Sequence, residues 1–229
     1  MSRAFDHNRP FWVSPDAARL HLQDAWLCQF AGQRFLSKLI MKGTQGVHSH
    51  SAMVRRNNGT IDVLEMIEWH GGRIKTLEFH LGGRARLDCF SPCQHDIAAA
   101  TFNAKGATEA MRVLCDEEYG RRGLLRMALR RCPILWHLYP PTTVDRLPTD
   151  DDPIRQPFCS HAVALACQLG GGFDVVQNAP NWLVCPMDLT KSLFWGYEFS
   201  IATPWAVAEY EIDMTEILRN DEELTDGTR

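Results

Sequence analysis

The sequence predicts an α+β domain in which a mainly antiparallel sheet packs against a helix carrying Cys159. Apolar, alternating segments flank the pair Asn58-Gly59, as is typical of a β-hairpin, because a type I′ turn needs positive φ at both central residues. After residue 158, apolar residues recur at helical spacing until Gly170 ends the run. The 229 residues have near-average apolar and charged fractions, so we expect one domain spanning residues 1–229.

The hairpin places two polar side chains where apolar ones belong. Side chains alternate along a strand, so His50 shares a face with Ala52, and Glu65 shares one with its own apolar neighbours. A turn centred on Asn58-Gly59 pairs Ala52 with Glu65 and leaves His50 diagonal to Glu65, whereas a turn centred on Asn57-Asn58 pairs His50 directly with Glu65. A three-residue loop would change the parity unless a bulge restored it. Either two-residue turn brings imidazole and carboxylate within reach.

A second histidine, His48, lies on the same face as His50 and competes with it as a base. Each of the two can equally be an ordinary hydrogen-bonded histidine. The residues alone leave this choice open.

Cys159 follows a proline-rich break and opens the predicted helix. The unpaired backbone amides and the positive end of the helix dipole favour a thiolate there, and the thiolate is the nucleophilic form of cysteine. The alternative is a structural thiol, because free cysteine is among the most buried residue types and this chain has eight. A base beside the sulfur would decide between these readings.

The remaining elements are predicted from periodicity and from turn residues. Residues 62–90 predict two or three strands, and residues 104–118 and 122–131 predict helices. Residues 140–153 predict a polar loop, residues 181–189 a loop with a helix cap at Asp188, and residues 194–212 strands. Residues 1–20 are expected to form an N-terminal extension, and residues 217–229 a flexible acidic tail.

Charge and hydropathy exclude several partners. The net charge of −4 and the pI of about 6.1 give no electrostatic basis for binding nucleic acid. No apolar run reaches transmembrane length, and the N-terminus lacks the apolar core of a signal peptide, so we expect a cytoplasmic protein without an integral membrane segment. A phage-associated protein, or one released from its host, is the alternative location. The sequence gives no oligomeric state.

The cysteines predict neither a disulfide framework nor a metal site. Their scatter fits a reducing compartment. Cys89, Cys93 and His95 resemble half of a zinc site, but no second pair stands at a matching spacing, so we expect structural thiols, no metal and no cofactor.

Short motifs in a particular order resemble a known family. They are Asp24-Ala25-Trp26-Leu27, Phe35 to Ile40, Ser49-His50-Ser51-Ala52, Val63-Leu64-Glu65, Cys159-Ser160 and Pro186-Met187-Asp188-Leu189. Over roughly residues 22–199 this order resembles the circularly permuted papain-like cysteine hydrolases, specifically the YiiX/YebB-like branch related to NlpC-type amidases. The resemblance implies a circularly permuted papain-like (NlpC-type) fold.

The resemblance also implies roles for individual residues. Cys159 would be the nucleophile, His50 the base and Glu65 the third polar residue, with Tyr119 and Ser160 as additional candidates. The chain departs from the pattern in two places, since Gln23 replaces the usual glycine before Asp24, and His161 replaces the usual carboxylate after Cys-Ser.

The expected activity is hydrolysis of an amide bond in a small peptide or a cell-wall peptide fragment, through an acyl-enzyme on Cys159. A lipid acyltransferase or thioesterase using the same cysteine and histidine is the first alternative, with a small acyl substrate. A catalytically inactive binding or structural module is the second.

Overall fold

The computed structural model describes residues 3–33, 35–68, 70–92, 101–120, 157–177 and 179–226. Within these ranges, seven strands form one sheet. The strands are β1 (Trp12–Val13), β2 (Leu27–Gly32), β3 (His50–Asn57), β4 (Thr60–Ile67), β5 (Gly71–Thr76), β6 (Ala85–Pro92) and β7 (Trp195–Ile201).

Helices surround the sheet, and several begin at a proline or a polar cap. They are α1 (Pro15–His21), α2 (Phe35–Thr44), α3 (Leu77–Leu81), α4 (Ala104–Leu114), α5 (Cys159–Leu169), α6 (Pro186–Lys191), α7 (Pro204–Glu209) and α8 (Met214–Thr225). A short 3-10 helix, Asn181–Leu183, precedes α6.

The strand order is β1-β7-β6-β2-β3-β4-β5. Every neighbouring pair in this sheet is antiparallel except β1 and β7, which run parallel. The predicted α+β class with a mainly antiparallel sheet is therefore confirmed. The order also brings β3, β4 and β5, which follow one another in sequence, together at one end of the sheet.

The β3–β4 hairpin has the first of the two registers considered from the sequence. Asn58 and Gly59 have φ values of +46° and +87°, as a type I′ turn requires. Ala52 lies opposite Glu65, and this ladder ends there, although β4 continues to Ile67 in its pairing with β5. His50 is thus diagonal to Glu65, beyond the end of the β3–β4 ladder.

The two faces of the sheet carry separate apolar clusters. On one face, Leu27, Met53 and Leu64 pack with the buried sides of α4 and α5. On the other face, alternate residues of the same strands pack with residues from α1, α3 and α8. Helix α5 is apolar nearly all round because it lies between the sheet and other elements and so has little exposed surface.

The chain ends differ from their predicted roles as an extension and a tail. Strand β1 pairs with β7, and α1 buries Ala17 and Ala18, so residues 12–21 belong to the packed domain. Residues 217–225, predicted to be flexible, lie within α8, whose Ile217 and Leu224 are buried. Apolar residues at helical spacing outweigh the acidic composition on which that prediction rested.

Three predicted elements are corrected in detail. Residues 194–212 contain one strand, β7, followed by α7, because Thr203 caps a helix that begins at Pro204. The helix predicted over 104–118 ends at Leu114. Asp188 is not the N-cap residue of α6, because Cys185 holds that position. The Asp188 carboxylate, within the first turn, accepts a hydrogen bond from the Cys185 amide at 2.9 Å.

Several predictions fall outside the described residues. They are the helix over 122–131, the loop over 140–153, and the positions Cys93 and His95 of the zinc half-site. Within the part of the chain that is described, no helix is long and apolar enough to cross a bilayer.

Candidate active site

Cys159 is the first residue of α5, as predicted, and only 3% of its surface is exposed. Phe158 precedes it as N-cap and supplies no side-chain hydrogen bond. The first amides of the helix therefore remain available, and the backbone of Ser160 hydrogen-bonds to the Cys159 sulfur. A second backbone hydrogen bond comes from Ser51, just beyond the point where the β3–β4 ladder ends. The end of this ladder thus makes room for the sulfur.

His50 and Glu65 form the predicted imidazole–carboxylate pair. His50 Nε2 donates to Glu65 Oε2 at 2.7 Å. Glu65 is 1% exposed, while 19% of the His50 side chain is exposed. Burial alone would raise the pKa of Glu65, but the hydrogen bond and charge of His50 lower it to about 2. The carboxylate is therefore ionised and fixes one ring nitrogen of His50.

The other ring nitrogen of His50 is left for Cys159, with which His50 also shares a hydrogen bond. Burial would lower the pKa of His50, but hydrogen bonds with Cys159 and Glu65 raise it to about 10. Burial would raise the pKa of Cys159, but the hydrogen bond and charge of His50 lower it below 9.0. Both shifts favour a thiolate–imidazolium pair over a neutral thiol and imidazole.

Two residues that the sequence did not single out also contact Glu65. Arg73 lies opposite Glu65 in the β4–β5 register, and its Nε donates to Glu65 Oε1 at 2.6 Å. His80 Nε2 approaches the same oxygen at 3.4 Å without forming a hydrogen bond. Burial lowers the pKa of His80 to about 4, so this ring is neutral near neutral pH. A prediction of the β4–β5 register from the sequence would have placed Arg73 opposite Glu65.

Tyr119 reaches the site from the segment after α4. Its side chain shares a hydrogen bond with Cys159, and burial raises its pKa, so the hydroxyl stays protonated and can donate to a negatively charged sulfur. The segment can approach because Gly72 has no side chain, since a Cβ there would lie 2.2 Å from Cys115 Cα. The Gly72 amide donates to the Glu117 carbonyl at 3.1 Å. Close backbone contact thus positions Tyr119.

His48 lies in a different polar network from that of His50 and Cys159. Its ring is fully buried, with Nε2 at 2.7 Å from Asp88 Oδ2 and Nδ1 at 3.0 Å from Thr190 Oγ1. Arg86 also binds Asp88, so His48 belongs to a buried polar network around β6. Both ring nitrogens of His48 are engaged there, whereas His50 shares a hydrogen bond with Cys159.

Ser160, an additional candidate, contributes its backbone rather than its hydroxyl. The buried hydroxyl donates to the Val184 carbonyl at 2.8 Å. This bond ties the start of α5 to the segment leading into α6. His161, which stands where the resemblance expects a carboxylate, packs against Phe158, and burial lowers its pKa to about 4.

A metal ion has no ready set of ligands in the described part of the chain. No three His, Cys, Asp or Glu side chains are grouped there so that they could hold one. Cys89, part of the zinc half-site considered from the sequence, is buried opposite Cys28 on the neighbouring strand. Burial raises its pKa well above the ordinary value, which disfavours the thiolate that zinc requires.

The fold is similar to that of a solved protein. The crystal structure of the metalloprotein YiiX from Escherichia coli O157:H7 matches with a TM-score of 0.52 and 14% sequence identity, over 80% of this chain and 98% of that chain. At this identity, the likeness shows the fold alone. No protein-family model matches the sequence, and no curated protein shows significant similarity to it.

Proposed function

We propose that this protein is a cysteine hydrolase of the permuted papain-like type, and that it cleaves an amide bond through a covalent acyl-enzyme on Cys159. The observation that carries the proposal is the chain of contacts from Cys159 to His50 to Glu65. A nucleophile, a base and a group that orients the base are the three components of covalent acyl transfer. The order of the sequence motifs supports this assignment, and the similarity to YiiX supports the fold on which it rests.

Acylation follows from the charge state of the site. The Cys159 thiolate attacks the carbonyl carbon and forms a carbon–sulfur bond, while the backbone amide of Cys159 at the start of α5 holds the developing oxyanion. The carbon–nitrogen bond then breaks, and the His50 imidazolium gives its proton to the departing amine. The product is a thioester on Cys159 and a neutral His50.

Deacylation returns the site to its starting state. His50 takes a proton from water, and the hydroxide adds to the thioester carbonyl. The carbon–sulfur bond breaks, which releases the acid and restores the thiolate beside a protonated His50. Glu65 keeps one His50 nitrogen occupied throughout, so the other nitrogen always faces the reaction.

The test measures the thiolate directly. A thiolate absorbs ultraviolet light more strongly than a thiol, so the absorbance lost in Cys159→Ser reports the charge state of Cys159 as pH varies. We expect thiolate at neutral pH in the native protein and its loss in His50→Asn, because His50 is the main group that lowers the pKa of Cys159.

Cys167→Ser is the matched control, because Cys167 is buried on the same helix and burial raises its pKa. This substitution should leave the absorbance at neutral pH unchanged. A native protein whose Cys159 titrates at or above 9.0 would contradict the proposal and favour an inactive binding or structural module.

Turnover identifies the acyl chemistry. We expect cleavage of amides among short peptides, with a mass increase on Cys159 equal to the acyl group when the reaction is quenched with acid. Cleavage or transfer of lipid esters alone would instead support the acyltransferase or thioesterase alternative. Cys159→Ser should abolish either reaction.

A further inference from the structure

A cavity of about 1000 Å³ opens beside the candidate active site. His50 and Glu65 line it, and Phe30, Ile67 and Phe79 supply apolar wall. Its volume is within the range of small-molecule sites, which combine apolar walls with a few polar groups. The cavity therefore has the size and lining of a substrate pocket.

Positive charge dominates the cavity. Arg73 and Arg84 both line it, and the raised pKa of His50 adds a third cation. Glu65 is the one carboxylate among the described residues of the lining, and its two oxygens are already bound by His50 and Arg73. Arg84 forms no ion pair with any carboxylate in the described ranges. Arg84 is thus the cation of the described lining that is left for a negatively charged ligand, since Arg73 binds Glu65 and His50 lies between Glu65 and Cys159.

A buried, unpartnered nitrogen lies in the same wall. His80 is 7% exposed, yet its Nε2 has no hydrogen-bond partner among the described residues. A buried polar group without a partner is costly, so such groups often mark a ligand site. The nitrogen itself is buried and lies 3.4 Å from Glu65 Oε1, so a ligand oxygen would reach it only if the His80 ring moved.

The cavity lies on the His50 side of the site, and His50 must protonate the departing amine. A general acid works within hydrogen-bonding distance of the group that it protonates. The amine side of the substrate is therefore the part that lies nearest to this cavity. The apolar wall suits an organic group rather than a bare inorganic anion.

We propose that the cavity receives the amine side of the cleaved amide and that this side is an amino acid with a free carboxylate, selected by Arg84. The proposal rests on the proposed hydrolase function, since it states which part of the substrate lies on the amine side of the bond that is cut. The substrate class is then N-acyl amino acids and short peptides cut before their last residue. A guanidinium binds a carboxylate through two parallel hydrogen bonds, which explains selection by an arginine.

Binding to Cys159→Ser tests the proposal without any turnover. The probes are N-acetyl-alanyl-alanine and its C-terminal amide, which have nearly the same size and differ in the carboxylate. We expect the carboxylate form to bind roughly tenfold more tightly in calorimetry, as for a hydrogen bond to a charged group. Arg84→Gln in the same background should remove the difference.

Arg219→Gln is the matched control, because Arg219 is an exposed arginine on α8 outside the cavity. It should keep the preference intact. Equal affinities for the two probes, or a preference that survives Arg84→Gln, would overturn the proposal. The binding result is independent of the thiolate measurement, so the carboxylate preference can fail while Cys159 remains a thiolate, and the reverse can also occur.

Discussion

Glu65 is the residue at which the charges of the site converge. One carboxylate oxygen binds His50 and the other binds Arg73, with His80 close by. Because Glu65 is almost fully buried, each missing partner would leave an uncompensated polar group in a region of low dielectric. Arg73 therefore supports Glu65, and Glu65 in turn supports the charge on His50.

Replacing Glu65 should raise the pKa of Cys159 and so convert its thiolate to a thiol. In Glu65→Gln, His50 loses a negative neighbour that raises its pKa, so burial lowers that pKa and the imidazolium no longer stabilises the thiolate. We expect the thiolate absorbance at neutral pH to fall and amide turnover to drop about 100-fold, a typical effect of losing acid–base catalysis.

Asp62→Asn provides the comparison, since Asp62 is a carboxylate of the same strand that pairs with Arg55. It should leave the thiolate signal in place. A Glu65→Gln protein with native thiolate absorbance and native turnover would show that the carboxylate has no part in the chemistry.

The β3–β4 hairpin is the element that fixes the geometry of the site. Its turn sets the register, and the register places Glu65 diagonal to His50 on one face of the sheet. A slip by one residue would move Glu65 to the opposite face, away from His50. The register of the hairpin and the geometry of the site therefore depend on the same two turn residues, Asn58 and Gly59.

The turn should be sensitive to a single methyl group. A Cβ at Gly59 would meet no atom within 4 Å, so Gly59→Ala tests the cost of its φ of +87° alone. We expect the free energy of unfolding to fall by about 1 kcal/mol, because residues with a Cβ disfavour positive φ. Urea denaturation gives this value.

Gly43→Ala is the control of opposite sign. Gly43 lies in α2, and a Cβ there also meets nothing within 4 Å. Alanine in a helix is favoured over glycine by about 0.5 kcal/mol or more, so this variant should be slightly stabilised. Equal effects of the two substitutions would refute the role of φ at Gly59.

At the scale of the whole molecule, buried ionisable groups make stability depend on pH in both directions. His50 keeps its proton in the folded state up to a pKa of about 10, so its contribution is complete below 6.5 and is lost as pH rises through 10. His80 accepts a proton in the folded state only near a pKa of 4. As pH falls below 6.5, the unfolded state is therefore protonated before the folded state, and stability declines. Glu65, with a pKa of about 2, contributes stability above 4.5 that is lost as pH falls toward 2.

Together with the lowered pKa of Cys159, these shifts predict a plateau of maximal stability between about pH 6.5 and 9.0, where the proton that His50 holds offsets the proton that Cys159 has lost, with losses on both sides. Thermal midpoints measured across the pH range should pass through a maximum there. His80→Gln should flatten the decline between 6.5 and 4, whatever its effect on the midpoint itself. A midpoint that keeps rising from 6.5 toward 10 would be inconsistent with a protonated His50.

The sequence by itself determined what depends on neighbours along the chain. Asn58-Gly59 specified the turn, alternation specified the faces of β3 and β4, and helical spacing placed Cys159 in the first turn of its helix. Such features were predictable because turn dihedrals and side-chain periods involve only a few consecutive residues. The acidic composition after residue 217 was a weaker guide, because α8 is held by packing of its buried side.

Only the tertiary structure decided which distant groups meet. It brought α5 to the end of the β3–β4 ladder, directed His48 to Asp88 instead of Cys159, and placed Arg73 against Glu65. It also formed the cavity lined by Arg84 and His80. The contacts of Cys159 and His48 join residues far apart in sequence and arise from packing elements onto the sheet, which no local pattern encodes, whereas Arg73 meets Glu65 through the register of two neighbouring strands.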